Sequence, residues 1–173
     1  MVDVSTRLGL VDEETRWLDD AEQRAWRAYL AMQAGLPALL NRRLQAGSGL
    51  SLSDFDVLVA LTDHGSEPIR VGELCDLLQW EKSRLSHHLA RMQRRGLLTR
   101  VECADDGRGA EIVLTDEGRA AIERAAPAHV ADVRELVFDV LDDDQVQALE
   151  AIGRSVAARI EDRSRPARPG PPA

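Results

Sequence analysis

The sequence predicts a mainly α-helical fold with one small β-wing, and three observations predict it. Apolar residues recur at helical spacing along most of the chain. One segment, residues 97–114, holds two β-rich runs separated by the turn-forming stretch "ADDGRG". This segment directly follows a basic stretch, "SRLSHHLARMQRRG", whose apolar residues also keep helical spacing. A hairpin directly after such a helix predicts a winged helix-turn-helix.

Composition limits the class of protein before any motif is considered. The 173 residues carry a formal net charge of −8 and are 44% hydrophobic, but no apolar run approaches the ~20 residues that span a bilayer. The start, "MVDVSTRLGLVDEE", lacks the basic-then-apolar order of a secretion signal. Cys75 and Cys103 do not form a C-x-x-C arrangement, so we expect neither structural zinc nor a disulfide framework. A soluble cytoplasmic protein is expected.

The N-terminal part reads as a long helix with an interruption. Asp19 stands three residues before Glu22, as in a capping box with aspartate in place of serine. Apolar residues then recur at helical spacing through Met32. Gly35 and Pro37 are expected to kink or break the helix before "ALLNRRLQ" continues it.

Two shorter helices follow. Ser51 and Ser53 are possible N-caps for "DFDVLVALTDHG", which Gly65 should end. The next segment, "VGELCDLLQ", places four residues on one apolar stripe: Val71, Leu74, Cys75 and Leu78. Cys75 therefore reads as a small core residue.

The basic stretch is predicted to be a helix with an anchored back and a donor-rich front. Residues 81–100 hold six cations against Glu81 alone, a formal +5 in an acidic chain. Such a patch can bind phosphates in one place while the rest repels them. Leu85, Leu89 and Met92 form the expected inward stripe. The expected outward residues are Arg84, His87, His88, Arg91 and Arg95. A metal site at the adjacent histidines is disfavoured, because helix neighbours point about 100° apart.

The last third is predicted to be helical, starting from a cap at Thr115. A first stripe passes Pro127, where a bend is expected: Ile122, Ala126, His129, Val133, Leu136 and Val140. Asp143 is the expected cap of a second helix, whose apolar residues lie close to heptad spacing: Val146, Leu149, Ile152, Val156 and Ile160. A long helix with one apolar seam needs a partner surface. The proline-rich end has nothing to bury.

These elements give a predicted domain organisation. Residues 1–16 form an N-terminal extension, and residues 51–115 form the winged helix-turn-helix. Residues 17–50 and 116–162 form the flanking dimerisation helices, and residues 163–173 a disordered tail.

The order of helices and wing resembles the MarR family (multiple antibiotic resistance regulators), dimeric winged-helix transcription factors. The resemblance covers roughly Trp17 to Ile160. Its most specific part is the D-x-R-G…L-T-x-x-G pattern of the wing, carried by Asp106, Arg108, Gly109, Leu114, Thr115 and Gly118.

The resemblance implies a homodimer that binds double-stranded DNA, with the basic helix in the major groove. The implied base-edge candidates are Arg84, His87, His88 and Arg91, with Arg84 or Arg91 first because arginine can bind guanine bidentately. Ser83 and Ser86 suit phosphates or bases, whereas Lys82, Arg94 and Arg95 suit the backbone. Arg108 could enter a minor groove, with Asp106 holding its side chain or the turn. Two such helices should lie about 34 Å apart over a pseudo-palindrome.

The family also implies an effector, a small aromatic or anionic molecule that releases a repressor from DNA. The residues expected near it are Trp26, Tyr29, Met32, Phe55 and His64. By default these aromatics, with Trp17, read as ordinary core residues. No cofactor or metal is expected.

The sequence has three alternative interpretations. In a winged-helix protein-interaction module, the basic window would be only a solvated face. In a redox-responsive regulator a cysteine would react; neither Cys75 nor Cys103 lies in the first helices, where relatives carry it, although an exposed Cys103 could oxidise. An enzyme is not expected, since the sequence shows no nucleophile-base pair, phosphate-binding loop or metal constellation.

Overall fold

The computed structural model describes residues 15–65, 67–102 and 110–164. In chain order its elements are α1 (Asp20–Ser48), α2 (Leu52–His64), β1 (Ile69–Arg70), α3 (Val71–Leu78), α4 (Lys82–Arg94), β2 (Leu98–Glu102), β3 (Ala110–Leu114), α5 (Asp116–Leu136), a 3₁₀ turn (Phe138–Val140) and α6 (Asp143–Ser164). The chain divides into two compact units between Leu39 and Leu40. The predicted mainly α-helical fold with a small wing sheet is confirmed.

Helix α1 begins with the predicted capping box. Asp19 Oδ1 accepts a hydrogen bond from the Glu22 backbone N–H at 2.8 Å, and Glu22 Oε2 accepts one from the Asp19 N–H at 2.9 Å. Gly35 and Pro37 were expected to kink or break the helix; they do not break it, because the helix continues through both residues. A proline removes only one backbone donor, and the Ala- and Leu-rich turns around it favour helix.

The aromatic residues near the start of the chain are not core residues. Trp17, Trp26 and Tyr29 are 47%, 52% and 41% exposed. The rings of Trp26 and Tyr29 stack on each other, with centroids 5.3 Å apart. The default reading as core aromatics is therefore wrong for these three and right for the buried Phe55.

The second unit contains the apolar core that holds the site. Its largest fully buried side chains come from α2 to α4, the segment before α2 and the sheet: Leu50, Val57, Leu58, Ile69, Leu74, Leu85, Leu89, Met92, Leu98 and Ile112. Cys75 is half-buried and packs against this core, as predicted. Ser51 is the N-cap of α2 and forms a capping box with Asp54, and Gly65 ends the helix at φ +95°.

The wing sheet has the order β1-β3-β2 and is antiparallel throughout. The predicted hairpin is confirmed, with Leu98 opposite Leu114 and Glu102 opposite Ala110. Strand β1, which pairs Ile69 with Ile112, was not predicted because two residues carry no readable periodicity. The hairpin turn, with Cys103, Asp106 and Arg108, lies outside the described residues.

Two boundaries in the last third differ from the sequence prediction. Helix α5 runs through Pro127 but ends at Leu136, so Val140 lies in the 3₁₀ turn and not on the α5 stripe. The cap of α6 is Asp142 and not Asp143: Asp142 Oδ1 accepts from the Gln145 N–H at 2.8 Å. Gln145 Oε1 accepts from the Asp142 N–H in return, which completes a capping box one residue earlier.

Helix α6 includes residues 163 and 164, the first two of the predicted tail, and the remaining tail residues lie outside the described part. In the described ranges, no helix combines the length and the apolar character needed to cross a membrane.

Candidate nucleic-acid interface

Helices α3 and α4 form a helix-turn-helix. Helix α3 ends at Leu78, and Gln79 takes the left-handed conformation at φ 53°, which redirects the chain. The Trp80 backbone N–H donates to the Cys75 carbonyl at 3.0 Å, closing the turn. Glu81 is the N-cap of α4 but makes no side-chain capping hydrogen bond. A three-residue turn between two helices is the connection that places a recognition helix on a protein surface.

Helix α4 has the predicted anchored back. Leu85, Leu89 and Met92 are each 0% exposed. The exposed cationic and polar residues of α4 and its C-cap are Lys82, Ser83, Arg84, His87, Arg91, Arg94 and Arg95, while Ser86 is half-buried. The structure therefore brings most of the predicted contact residues to one helix with a fixed orientation.

The expectation that His88 faces outward is wrong. Its side chain is buried, with 6% of the residue exposed. His88 lies three residues after Leu85 and four before Met92, and both spacings place it on the inward face of a helix. This signal was present in the sequence. A residue buried to this extent cannot reach a base edge.

Asp54 forms a buried polar cluster that sequence reasoning missed. This residue is 5% exposed. Its Oδ2 accepts hydrogen bonds from Arg95 Nη1 at 2.7 Å and from the Ser51 N–H at 2.9 Å. His88 Nε2 lies 3.0 Å from Oδ1, close enough for its ring N–H to be attracted to the carboxylate, although the geometry is not that of a hydrogen bond. The cluster joins the start of α2 to the middle and end of α4.

The cluster keeps Asp54 ionised. Burial raises the pKa of the Asp54 carboxyl, but the contacts with His88, with Ser51 and with Arg95 outweigh burial. The net effect is a pKa well below the ordinary carboxyl range.

Two arginines of the basic window, Arg95 and Arg100, donate hydrogen bonds to the backbone of other elements. Besides its contact with Asp54, Arg95 donates from Nη2 to the Gly49 carbonyl at 2.9 Å. Arg100 donates from Nη2 to the Ser86 carbonyl at 3.2 Å, which links β2 to α4. Arg95, predicted to contact the DNA backbone, is therefore held as a connection between helices. Arg84 and Arg91 remain exposed on α4.

A cavity of about 650 Å³ lies behind the helix-turn-helix in the second unit. It is lined by Phe55, Asp56, Val59, Ala60, Asp63, His64, Leu77, Leu78, Trp80 and His129. Phe55 and His64, two of the five predicted effector residues, line it. The other three, Trp26, Tyr29 and Met32, are exposed on α1 in the first unit.

The cavity is aromatic and acidic. The rings of Phe55 and His129 lie 4.3 Å apart, and the buried His129 Nδ1 has no hydrogen-bond partner among the described residues. Burial raises the pKa of Asp56, and the nearby Arg84 guanidinium only partly offsets this. Across the described ranges, no group of three or more His, Cys, Asp or Glu side chains is placed to hold a metal ion.

Comparison with known proteins agrees with this geometry. A family model described as "MarR family" matches residues 48–109. AbsC, a MarR family transcriptional regulator from Streptomyces coelicolor, is 35% identical with a TM-score of 0.80, covering 86% of this chain and 99% of AbsC. Sco3205 of the same organism, solved in complex with DNA, is 38% identical with a TM-score of 0.80, and the match covers 84% of this chain and 91% of Sco3205.

A curated relative shows the same likeness over a shorter span. The HTH-type transcriptional regulator PecS of Dickeya dadantii is 30% identical over 106 residues, 61% of this chain and 64% of PecS, so the match spans less than two thirds of that regulator. All three are named as transcriptional regulators. From the helix-turn-helix, the wing sheet and these likenesses, the chain belongs to the MarR family of DNA-binding transcriptional regulators.

Proposed function

We propose that this protein is a homodimeric repressor that binds a pseudo-palindromic operator in the cytoplasm and is released by a small-molecule effector. The observation that carries the DNA-binding part is the architecture of α4. Its back is fixed in the core by Leu85, Leu89 and Met92, and its front presents cations in a chain of net charge −8. The acidity elsewhere repels phosphate and so restricts DNA to this face.

The described side chains support a division of roles on α4. We assign Arg84, His87 and Arg91 to base edges in the major groove, because they are exposed along the outward face. Lys82, Ser83 and Arg94 fit phosphate contacts, as does Ser86 at the margin. His88 and Arg95 leave the set of DNA contacts, since one is buried and the other is held by Asp54. Arg108 remains a predicted minor-groove contact.

The effector part of the proposal rests on the cavity. Phe55 and Trp80 offer aromatic walls, which suit a small aromatic molecule. The carboxylates of Asp56 and Asp63, which also line the cavity, would repel an anionic effector. We therefore narrow the predicted effector to a neutral or cationic aromatic compound. Calorimetric titration with tryptamine and with indole-3-acetate, which share a ring system and differ in charge, tests this. Tighter binding of the anion would contradict it.

DNA recognition is tested by selecting duplexes from a randomised 30-base-pair pool with the full-length protein. We expect an enriched, pseudo-palindromic sequence whose affinity falls steeply between 50 and 200 mM salt. R91A should lose about 1–3 kcal/mol and relax preference at one position of each half-site. K82A should weaken binding to all duplexes about equally. It should also lower the slope of log affinity against log salt concentration by about 1.

The competing class has a clear signature in the same experiment. If the wild-type protein shows no salt-dependent binding to any duplex, the basic face is only solvated, and the protein-interaction module becomes the better reading.

A further inference from the structure

One aromatic residue contacts both the cavity and the recognition helix. Trp80 is half-buried in the turn before α4, and its indole lines the cavity. The Arg84 guanidinium lies over the same indole, with its Cζ 4.1 Å from the ring centroid. This is the geometry of a cation–π contact, which orients a cation over the ring face.

The second exposed arginine is held by the buried histidine. Arg91 Nη2 lies 2.8 Å from His88 Nδ1. An arginine can only donate, so Nδ1 must be the unprotonated nitrogen that accepts. The ring proton then resides on Nε2, which faces Asp54 Oδ1 at 3.0 Å. Asp54 thereby favours the tautomer of His88 that can hold Arg91.

The two holding residues also contact each other. The rings of Trp80 and His88 meet edge to face, with centroids 5.4 Å apart. Together they form an aromatic platform (Trp80 in the turn and His88 on α4), with Arg84 against Trp80 and Arg91 against His88. The two arginines are seven residues apart, about 10 Å along the helix, so they meet different base pairs.

We propose that Trp80 and His88 are positioning residues for DNA recognition, which fix the guanidinium groups of Arg84 and Arg91 before DNA arrives. This rests on the proposed function, in which both arginines read bases. A free arginine side chain loses much rotamer freedom when it makes a bidentate contact. A side chain already held in one orientation loses less, and preorganisation of this kind raises both affinity and discrimination.

The role is distinct from core packing. Leu85, Leu89 and Met92 already fix the helix, and the Trp80 indole packs at the edge of the core while remaining partly exposed. Losing the platform should therefore leave α4 in place but free its arginines.

The test uses full-length protein and a duplex that the wild type selects from a randomised pool, with fluorescence anisotropy as the readout. W80L should weaken binding to the selected duplex about five- to tenfold. It should also relax the base preference at the same operator position as R84A. W80F keeps an aromatic face and should restore most of the affinity. In the W80L/R84A double variant the losses should not add, because both remove one interaction.

His88 is tested in the same way against Arg91. H88N keeps an acceptor near the position of Nδ1 and should retain the base preference. H88L has no acceptor, so it should lose the base preference at the operator position that R91A also affects. Additive losses in the double variants, or equal weakening of selected and shuffled duplexes, would overturn the platform while leaving DNA recognition intact. Selection of no duplex by the wild type would overturn both proposals.

A measurement on the wild type covers the case in which W80L does not fold. The Arg84 side-chain protons should be shifted upfield by the indole ring current in NMR spectra of the free protein. Ordinary, unshifted resonances would show that Arg84 is not held, and would overturn the proposal.

Discussion

At the scale of single residues, Asp54 has the largest structural role of the described polar side chains. It closes the capping box of α2, binds Arg95 at 2.7 Å and faces His88. The sequence predicts the cap at Ser51, because capping depends on residues three apart. It could not predict the contact with Arg95, because that pair is 41 residues apart and only the fold brings it together. The inward position of His88 could have been read from its spacing.

Substitution D54N should destabilise the protein by about 3 kcal/mol, the lower end for breaking a buried ion pair, because the Arg95 side chain is 43% exposed. The pKa of Asp54 is lowered by folding, so its contribution is complete above the ordinary carboxyl pKa of about 3.9 and is lost as the pH falls below it. Urea unfolding at one protein concentration measures this. The difference in free energy of unfolding between wild type and D54N should be smaller at pH 3 than at pH 5.

The matched control for this change is D139N. Asp139 is exposed and pairs with Arg134 at 3.4 Å, so its loss should change stability little. A gap between wild type and D54N that stays the same at both pH values would contradict the assignment.

At the scale of elements, the starts of three helices were easier to predict than the continuity of the first helix. Local capping patterns located the starts of α1, α2 and α5, because a cap involves only residues within one turn. The break expected at Pro37 did not occur, because the long surrounding helix absorbs one lost hydrogen bond. The L-T-x-x-G pattern has a steric and a capping reason. Thr115 Oγ1 accepts from the Gly118 N–H at 3.0 Å and donates to the Gly96 carbonyl at 2.6 Å.

Gly118 allows the start of α5 to lie directly against the segment before β2. A Cβ at this position would overlap the Leu97 carbonyl oxygen and stand 2.7 Å from Leu114 Cδ1. G118A should therefore destabilise the protein by about 1–3 kcal/mol or more, although alanine is the better helix former. Thermal unfolding followed by circular dichroism measures the change.

G72A is the control for that substitution, since Gly72 is also helical and a Cβ there would meet nothing within 4 Å. It should be neutral or slightly stabilising. Equal effects of G72A and G118A would show that the close approach at Leu97 is not maintained in solution.

At the scale of the whole molecule, α6 has an apolar stripe that the described part of the chain leaves exposed. Ile152, Val156 and Ile160 are 63%, 54% and 59% exposed. The near-heptad spacing of this stripe could be read from the sequence, but its partner could not, because a periodic seam does not name the surface that covers it. A second copy of the chain is the partner that the proposed homodimer requires.

I152E should convert a dimer into monomers in sedimentation velocity experiments at micromolar concentration, because a charge would be buried in the seam. Binding to the selected duplex should fall with it, since two recognition helices must act together. A158E places the same charge on the opposite side of α6 and should leave the dimer intact. A wild-type monomer, or an I152E variant that remains dimeric, would contradict this arrangement.

The position of Trp80 between the cavity and Arg84 has a thermodynamic consequence. A molecule in the cavity that displaces the indole would remove the support of Arg84 and weaken DNA binding. Linkage requires the reverse effect in equal measure: DNA that holds Arg84 on the indole must weaken the binding of that molecule to the cavity by the same factor. Operator-bound protein would then respond only to higher effector concentrations than free protein, so the amount of bound operator would itself help to set the threshold of the response.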